Sequence, residues 1–318
     1  MRKFLFCLFT IFLLFLTFAL VYNPKRYITA CIEGLTIWIV AVLPSLLPFF
    51  FITLLITNLG IAGSLAKKCT PLTKLLYACG GEGAFVQIMS FISGYPVGAR
   101  LVAQLYLDGS IDSKEATKIS LFTSTSGPMF IIGSVGVGMF SSKTVGIILI
   151  CSHFLATILN GIIFRGFNKR ESLNALKLKK YSGNLLYDCA YSSTISCLIV
   201  GCFIAVFYVF FQILKDFNLI SPIAHLFNIL FQDEKKALGF CAGLIELTNG
   251  CILLSKSSDA LSISLTAFLI SFGGLSVIIQ SISFLKQANV NIKTFIFSKL
   301  IQAITTFIIC FIICKVGL

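Results

Sequence analysis

The sequence has very little charge for its length. Only 12% of its 318 residues are Asp, Glu, Lys or Arg, whereas soluble domains carry about 25%. Apolar and aromatic residues make up 57% of the chain, and the mean hydropathy is +0.97. Too few polar groups remain to cover a surface that faces water, so we expect lipid to cover it. This composition excludes an ordinary soluble domain.

The sequence also lacks the spacings of a metal or redox site. It has twelve cysteines but no CxxC pair, and most of the cysteines lie inside apolar runs. His153 and His225 have no metal-ligand residue types beside them. Cysteine in such runs behaves as a small apolar residue. We therefore expect no bound metal, no cofactor and no disulfide framework.

Acidic residues are scarce, and the net charge is +13. No basic segment alternates with aromatics, so we expect no nucleic-acid partner. The basic residues instead favour one orientation in a bilayer, because cytoplasmic loops are rich in Lys and Arg. The loop 167–184 is the most basic and should face the cytoplasm. Counting from it places the N-terminus inside, and the C-terminus and the loop 214–238, which has balanced charge, outside. Lys25 and Arg26 also fall outside, against the rule.

Apolar runs long enough to cross a bilayer occur seven times along the chain. The first run lies within an N-terminal segment, 1–28, that we interpret as an uncleaved signal anchor because its core is longer than that of most signal peptides. A cleaved signal peptide is the alternative. The seven runs are 4–22, 34–58, 118–140, 144–164, 187–213, 262–284 and 294–314.

Two further apolar stretches, 82–105 and 239–256, are interrupted in the middle. Ser93-Gly94-Tyr95-Pro96 divides the first, and Thr248-Asn249-Gly250 divides the second. Neither half of either stretch is long enough to span, so we interpret both as re-entrant hairpins. Irregular backbone at that depth must line a cavity or be buried in protein.

The chain contains a weak internal repeat. A span, a hairpin, a broken helix and a final span occur in 29–166 and again in 185–318, with the broken helices at 118–140 and 262–284. Each unit crosses the bilayer an odd number of times, so the second unit has the opposite orientation to the first. The predicted fold is an all-α polytopic membrane protein with about seven transmembrane helices and two hairpins in an inverted repeat, as in secondary transporters. The alternative is that Gly and Pro are merely common in membrane helices.

Polar residues at the breaks of the first half are candidates for binding a solute. The side-chain hydroxyls of residues 123–126 directly precede Gly127 and Pro128. Pro128 has no backbone N–H and the residue before a proline leaves the helical conformation, so backbone groups there lack helical partners. Gly94 and Gly98 allow close backbone approach, and Arg100 either pairs with a carboxylate or extends to the membrane interface. The candidates here are Ser93, Gly94, Tyr95, Pro96, Arg100, Thr123, Ser124, Thr125, Ser126 and Gly127.

In the second half, Glu246 is the one acid well inside an apolar segment. Such a carboxylate carries a proton or cation, binds a solute donor, caps its own hairpin or pairs with Arg100. Glu82 is expected at the membrane interface, and His153 as a packing residue rather than a proton relay. The candidates here are Glu246, Thr248, Asn249, Gly250, Gly273, Gly274, Ser276 and Gln280.

Five ordered segments carry a resemblance to a known family: Val42–Phe50, Ser93–Arg100, Phe122–Phe130, Leu244–Gly250 and Phe272–Val277. From about residue 30 onward the chain resembles the YlbJ sporulation integral membrane proteins, of the gate or nucleoside-recognition class. The resemblance implies a multi-pass protein of the cell membrane or outer forespore membrane that moves dipicolinate. The chain departs from the pattern that we expect at Ser124, where an amide is expected, and at Ile278, where a histidine is expected.

Three functions follow as hypotheses. The first is a carrier or channel for a small planar anion such as dipicolinate, and the second is a nucleoside or related solute carrier. The third is a membrane enzyme or a non-transporting assembly factor, and of these two we expect no enzyme. The expected partners are the lipid bilayer and a small solute. The coupling ion, H⁺ or Na⁺, and assembly into a homo-oligomer stay open.

Overall fold

The apolar runs form helices, because in lipid every backbone N–H and C=O must bond within its own segment. The computed structural model of the chain describes residues 2–167 and 183–317, and its regular elements there are all helical. Most of the predicted basic loop lies outside the described residues, including Lys169, Arg170, Glu171, Lys177, Lys179 and Lys180.

The helices of the described residues follow one another with short connections. The second helix contains a π-helical turn at Trp38–Val42, and the seventh is π-helical throughout. In chain order they are α1 (Arg2–Tyr22), α2 (Pro24–Asn58), α3 (Ile61–Tyr77), α4 (Gly81–Ser93), α5 (Val97–Leu107), α6 (Ser113–Thr123), α7 (Met129–Met139), α8 (Lys143–Ile163), α9 (Leu185–Asp216), α10 (Ser221–Phe231), α11 (Glu234–Ile245), α12 (Leu247–Leu254), α13 (Ala260–Phe272), α14 (Gly274–Leu285) and α15 (Ile292–Gly317).

Five helical stretches of the described residues are long and apolar enough to cross a membrane. A sixth exists if α3 and α4, bent by 100° at their junction, form one span. Five predicted runs fall within these stretches. The run 4–22 lies in the 21-residue helix α1, and 118–140 is broken between α6 and α7, so the count of seven stays a prediction. The five stretches are Pro24–Asn58, Lys143–Gly166, Leu185–Asp216, Ala260–Ala288 and Ile292–Val316.

The segment 214–238, which we expected to be an outside loop, contains the apolar helix α10. Pro222 lies in its first turn, where a proline is tolerated because that N–H has no helical partner. Leu226, Ile229 and Leu230 are exposed. Charge alone guided the prediction, and it overlooked the apolar spacing of three and four residues that makes a helix face.

The interior is built where α13 packs along α15 and α8, and where α2 packs along α9. Ile131 of α7, Leu149 of α8 and Leu269 of α13 are fully buried in one apolar cluster. On the outer faces the large apolar side chains are exposed, as with Val40 of α2 and Ile308 of α15. A surface of this kind is compatible with lipid rather than water.

Arg26, which violates the charge rule, is paired with an acid. Its guanidinium donates to both carboxylate oxygens of Asp216, over 3.1 and 3.3 Å, and to Gln212. Asp216 ends α9, so the start of α2 and the end of α9 lie on the same side of the bundle. The pairing reduces the net positive charge that conflicts with the predicted orientation.

Two carboxylates approach each other where the first turns of α4 and α6 meet. Glu82, expected at the interface, is only 1% exposed, and neither of its oxygens has a hydrogen-bond partner among the described residues. Loss of hydration raises the pKa of Glu115 to about 7, and the charges of Glu82 and Asp112 add to this while Lys118 opposes it. Glu115 therefore holds a proton more tightly in the folded protein than in the unfolded chain.

We predict that Glu115→Gln stabilises the protein at pH 8 but not at pH 4. The raised pKa means that the native state binds more protons than the unfolded state between the two pKa values, so the free energy of unfolding falls as pH rises through that window. The gain at pH 8 should be about 1 kcal/mol after screening by solvent. Thermal unfolding in detergent across pH measures it. Glu234→Gln, at an exposed acid in the first turn of α11, is the control, and equal pH profiles of the two variants would contradict the prediction.

Candidate functional site

The tip of the first hairpin packs directly on the backbone of a helix break. α4 ends at Ser93, α5 begins at Val97, and residues 124–128 separate α6 from α7. A Cβ on Gly94 would overlap the Gly127 amide nitrogen, and one on Gly98 would overlap the Thr123 carbonyl oxygen. The predicted close approach at both glycines is confirmed.

The break in the second hairpin lies earlier than predicted. α11 ends at Ile245, Glu246 is extended, and α12 begins at once. The Glu246 carboxylate accepts hydrogen bonds from the Thr248 and Asn249 N–H groups, at 3.0 and 2.7 Å. Residues 248–250 thus form the first turn of α12 rather than its interruption, because the carboxylate satisfies the N–H groups that a new helix leaves free. The capping alternative for Glu246 is observed.

The first hairpin also reaches the second broken helix. α13 stops at Phe272 because Gly273 and Gly274 both have positive φ, +91° and +66°. The Tyr95 hydroxyl donates to the carbonyls of Ile270 and Ser271, over 3.3 and 3.1 Å. Those carbonyls lie in the last turn of α13, where no helical partner is available. Tyr95 therefore joins elements from the two halves of the chain.

A small cavity of about 60 Å³ lies where these breaks meet. It has room for a few water molecules. Its wall combines apolar side chains, such as Leu46 and Phe130, with candidates from both halves. The candidates that line it are Ser93, Tyr95, Ser126, Gly127, Glu246, Thr248, Ser276 and Gln280.

A larger groove of about 530 Å³ adjoins this cavity, and Ser93 lines both. Arg100 lies in the groove with Gln104 and Ser196, whereas Glu246 lies in the small cavity. No ion pair between Arg100 and Glu246 occurs in the described part of the chain. The Ser93 hydroxyl is buried and has no protein partner among those residues.

Several other candidates contact backbone rather than a cavity. The hydroxyls of Thr123 and Thr125 donate to the carbonyls of Ile119 and Ser90, both at 2.8 Å. The Asn249 side-chain amide nitrogen is buried without a partner in the described ranges. The remaining candidates, Gly94, Pro96, Ser124, Gly250, Gly273 and Gly274, line neither space.

His153 binds the backbone of the unwound segment, residues 124–128 between α6 and α7. Its Nε2 accepts from the Ser126 N–H at 3.0 Å, so Nδ1 carries the hydrogen and faces the Ser271 hydroxyl at 2.6 Å. Ser271 in turn contacts Thr306. Nucleophilic catalysis would need an acid to orient the imidazole, but in the described part of the chain a backbone amide occupies that position. The expected packing role agrees with these contacts.

The sequence reasoning missed Lys299, which is 2% exposed. Its Nζ lies 2.9 Å from the Ser124 carbonyl oxygen, 2.7 Å from the Tyr95 hydroxyl and 3.2 Å from Gln302 Oε1. The spacing of Lys299, Gln302 and Thr306 was available as a signal, since residues three and seven apart share one face of a helix. The apolar composition of the run 294–314 predicts only a span.

Comparison with known proteins adds two matches. Residues 39–162 match the nucleoside recognition family, Gate. The chain is 30% identical over 322 aligned positions to the sporulation integral membrane protein YlbJ of Bacillus subtilis (strain 168). The aligned region covers 92% of this chain and 79% of that relative. No solved structure matches.

We predict that Gly94→Ala costs far more stability than Gly109→Ala. Both glycines have positive φ, +78° and +70°, but a Cβ on Gly109 meets nothing within 4 Å, whereas one on Gly94 overlaps Gly127. At Gly94, where φ is +78° and ψ is −163°, the backbone strain alone should cost about 1–3 kcal/mol, and displacing the hairpin tip should raise the cost to about 3 kcal/mol or more. Thermal unfolding of the two purified variants measures the difference, and equal losses would show that the tip contact is unimportant.

Proposed function

The chain belongs to the YlbJ family of sporulation integral membrane proteins, and on that premise we propose that it is a carrier for a small anionic solute. It is a multi-pass integral membrane protein. The observation that carries the proposal is the small cavity inside the apolar bundle, where breaks from both halves of the chain meet and polar candidates border an otherwise apolar wall. Secondary transporters place their solute sites at such meeting points of broken helices.

We propose the architecture of an inverted repeat for this carrier. Residues 29–166 and 185–318 form its units after an anchor in 1–28, with the loop 167–184 between them. Within the units, the segments 82–105 and 239–256 act as re-entrant hairpins. The helix ends at Ser93 and Ile245 and the direct contact of Gly94 with the unwound backbone support this arrangement.

The solute proposed is dipicolinate, as the family resemblance implies, and the membrane is the outer forespore membrane. Arg100 supports an anion, because a guanidinium binds carboxylates in a bidentate way. It lies in the groove that Ser93 links to the cavity. In this proposal the solute enters by the groove, contacts Arg100 and Ser93, and passes between the hairpin tips.

A nucleoside is the second candidate solute. The Gate match supports it, as do the neutral hydroxyls and amide of Thr248, Ser276 and Gln280 in the cavity wall. An assembly factor that moves no solute needs no internal polar cavity, so the cavity favours a carrier over it. Glu246 holds the start of α12 in either case through its two backbone contacts.

We predict that Arg100→Gln lowers dipicolinate uptake into proteoliposomes at least about tenfold, because a hydrogen bond to a charged group contributes roughly 1.5–3 kcal/mol. Uptake of a neutral nucleoside should be unchanged by the substitution if it occurs at all. Arg165→Gln, at an exposed arginine beyond α8, is the matched control. Undiminished dipicolinate uptake in Arg100→Gln would refute the role of Arg100, and nucleoside uptake without dipicolinate uptake would favour the second candidate.

A further inference from the structure

Lys299 is a buried cation surrounded by neutral oxygens. Its three neighbours are a backbone carbonyl, a tyrosine hydroxyl and a side-chain amide oxygen. No Asp or Glu contacts it within residues 2–167 and 183–317. Its Nζ also lies 4.9 Å from the centre of the Tyr95 ring, a cation–π distance. A charge this deeply buried is costly unless its surroundings compensate it.

All three contacts require Lys299 to donate. The Tyr95 hydroxyl gives its hydrogen to the α13 carbonyls, so it accepts from Nζ. Thr157 gives its hydrogen to the His153 carbonyl and therefore accepts from Gln302 Nε2, which turns Oε1 toward Nζ. The Ser124 carbonyl can only accept. Three donors on one lysine nitrogen exist only in the ammonium form.

The oxygens around Lys299 are of the kind that bind a free cation in other membrane carriers. Carbonyls of unwound backbone and the C-terminal ends of half-helices coordinate Na⁺ in secondary transporters. Here the Ser124 carbonyl belongs to the unwound segment, and Tyr95 connects Nζ to the end of α13. The lysine side chain places its ammonium group at this junction, so no free ion has to be bound there.

We propose that the Lys299 ammonium takes the place of a bound Na⁺ or K⁺ at the junction of the hairpin tip with the broken helices. It holds Tyr95 and the Ser124 carbonyl together, so the folded site needs neither ion. Solute uptake that is independent of both ions then follows, and this second part alone rests on the proposed function.

The first test is the thermal unfolding of the purified wild-type protein in detergent at matched ionic strength. We expect the same midpoint in NaCl, KCl and choline chloride. A bound ion stabilises the state that binds it, so an occupied Na⁺ site would raise the midpoint by about 3 °C or more. A midpoint that is higher by this amount in NaCl or KCl than in choline chloride would overturn the proposal, whatever the variants show.

The second test asks whether removing the Lys299 side chain makes the unfolding midpoint depend on added cations. Lys299→Ala should lower the midpoint by about 5 °C or more in choline, and Na⁺ or n-propylammonium, which matches the atoms removed, should restore part of the loss. Lys299→Met is neutral and of similar length. It should also lower the midpoint, but neither cation should restore it, because the methionine side chain leaves no room for a cation. Lys293→Ala, at an exposed lysine in the first turn of the same helix, should change nothing. An unaffected or unrestored Lys299→Ala would count against the proposal, and if this variant does not fold, the wild-type comparison still decides.

Uptake into proteoliposomes supplies the third readout. Wild-type dipicolinate uptake should be equal with Na⁺, K⁺ or choline outside, and faster uptake with one metal ion would contradict an ion-independent site. If no solute is taken up under any condition, the proposed function fails, while the unfolding midpoints still test Lys299.

Discussion

Backbone groups released by broken helices must find partners inside an apolar bundle, and this requirement organises the centre of the protein. An unpaired N–H or C=O in an apolar interior costs free energy comparable to a lost hydrogen bond. The Ser126 N–H reaches His153, and the Ser124 carbonyl reaches Lys299. At the second hairpin, Glu246 satisfies the first N–H groups of α12. Each break is thus stabilised by a side chain that is otherwise rare in a membrane interior.

The partners of the first break come from distant parts of the chain. His153 lies on α8, Lys299 on α15 and Tyr95 at the tip of the first hairpin, and all three contact residues of α13, the unwound segment or each other. The two halves of the chain therefore share one hydrogen-bond network. A movement of the hairpin tip away from α13 would break several of these hydrogen bonds at once, so the contacts of the network stabilise one another.

Local signals were enough to predict most of the helices but not their partners. Long apolar runs located five of the candidate spans, and Gly and Pro located the breaks after Ser93 and before Pro128. The restart of the helix at Leu247 was missed because it depends on the Glu246 side chain folding back on the backbone. The spacing of Lys299, Gln302 and Thr306 indicates a polar helix face, but the partners of Lys299, Ser124 and Tyr95, are far away in sequence. Contacts of that range have no signature in a single sequence.

The same contacts decide which polar groups remain for a solute. Tyr95 lines the cavity, but its hydroxyl already donates to α13 and accepts from Lys299, so it offers a solute mainly its ring. Glu246 is likewise committed to the α12 backbone. Ser93 differs, because its hydroxyl is buried without a protein partner in the described residues and borders both the cavity and the groove. If the proposed carrier moves a solute between the two spaces, Ser93 is the candidate at their shared border whose hydroxyl has no protein partner in the described residues.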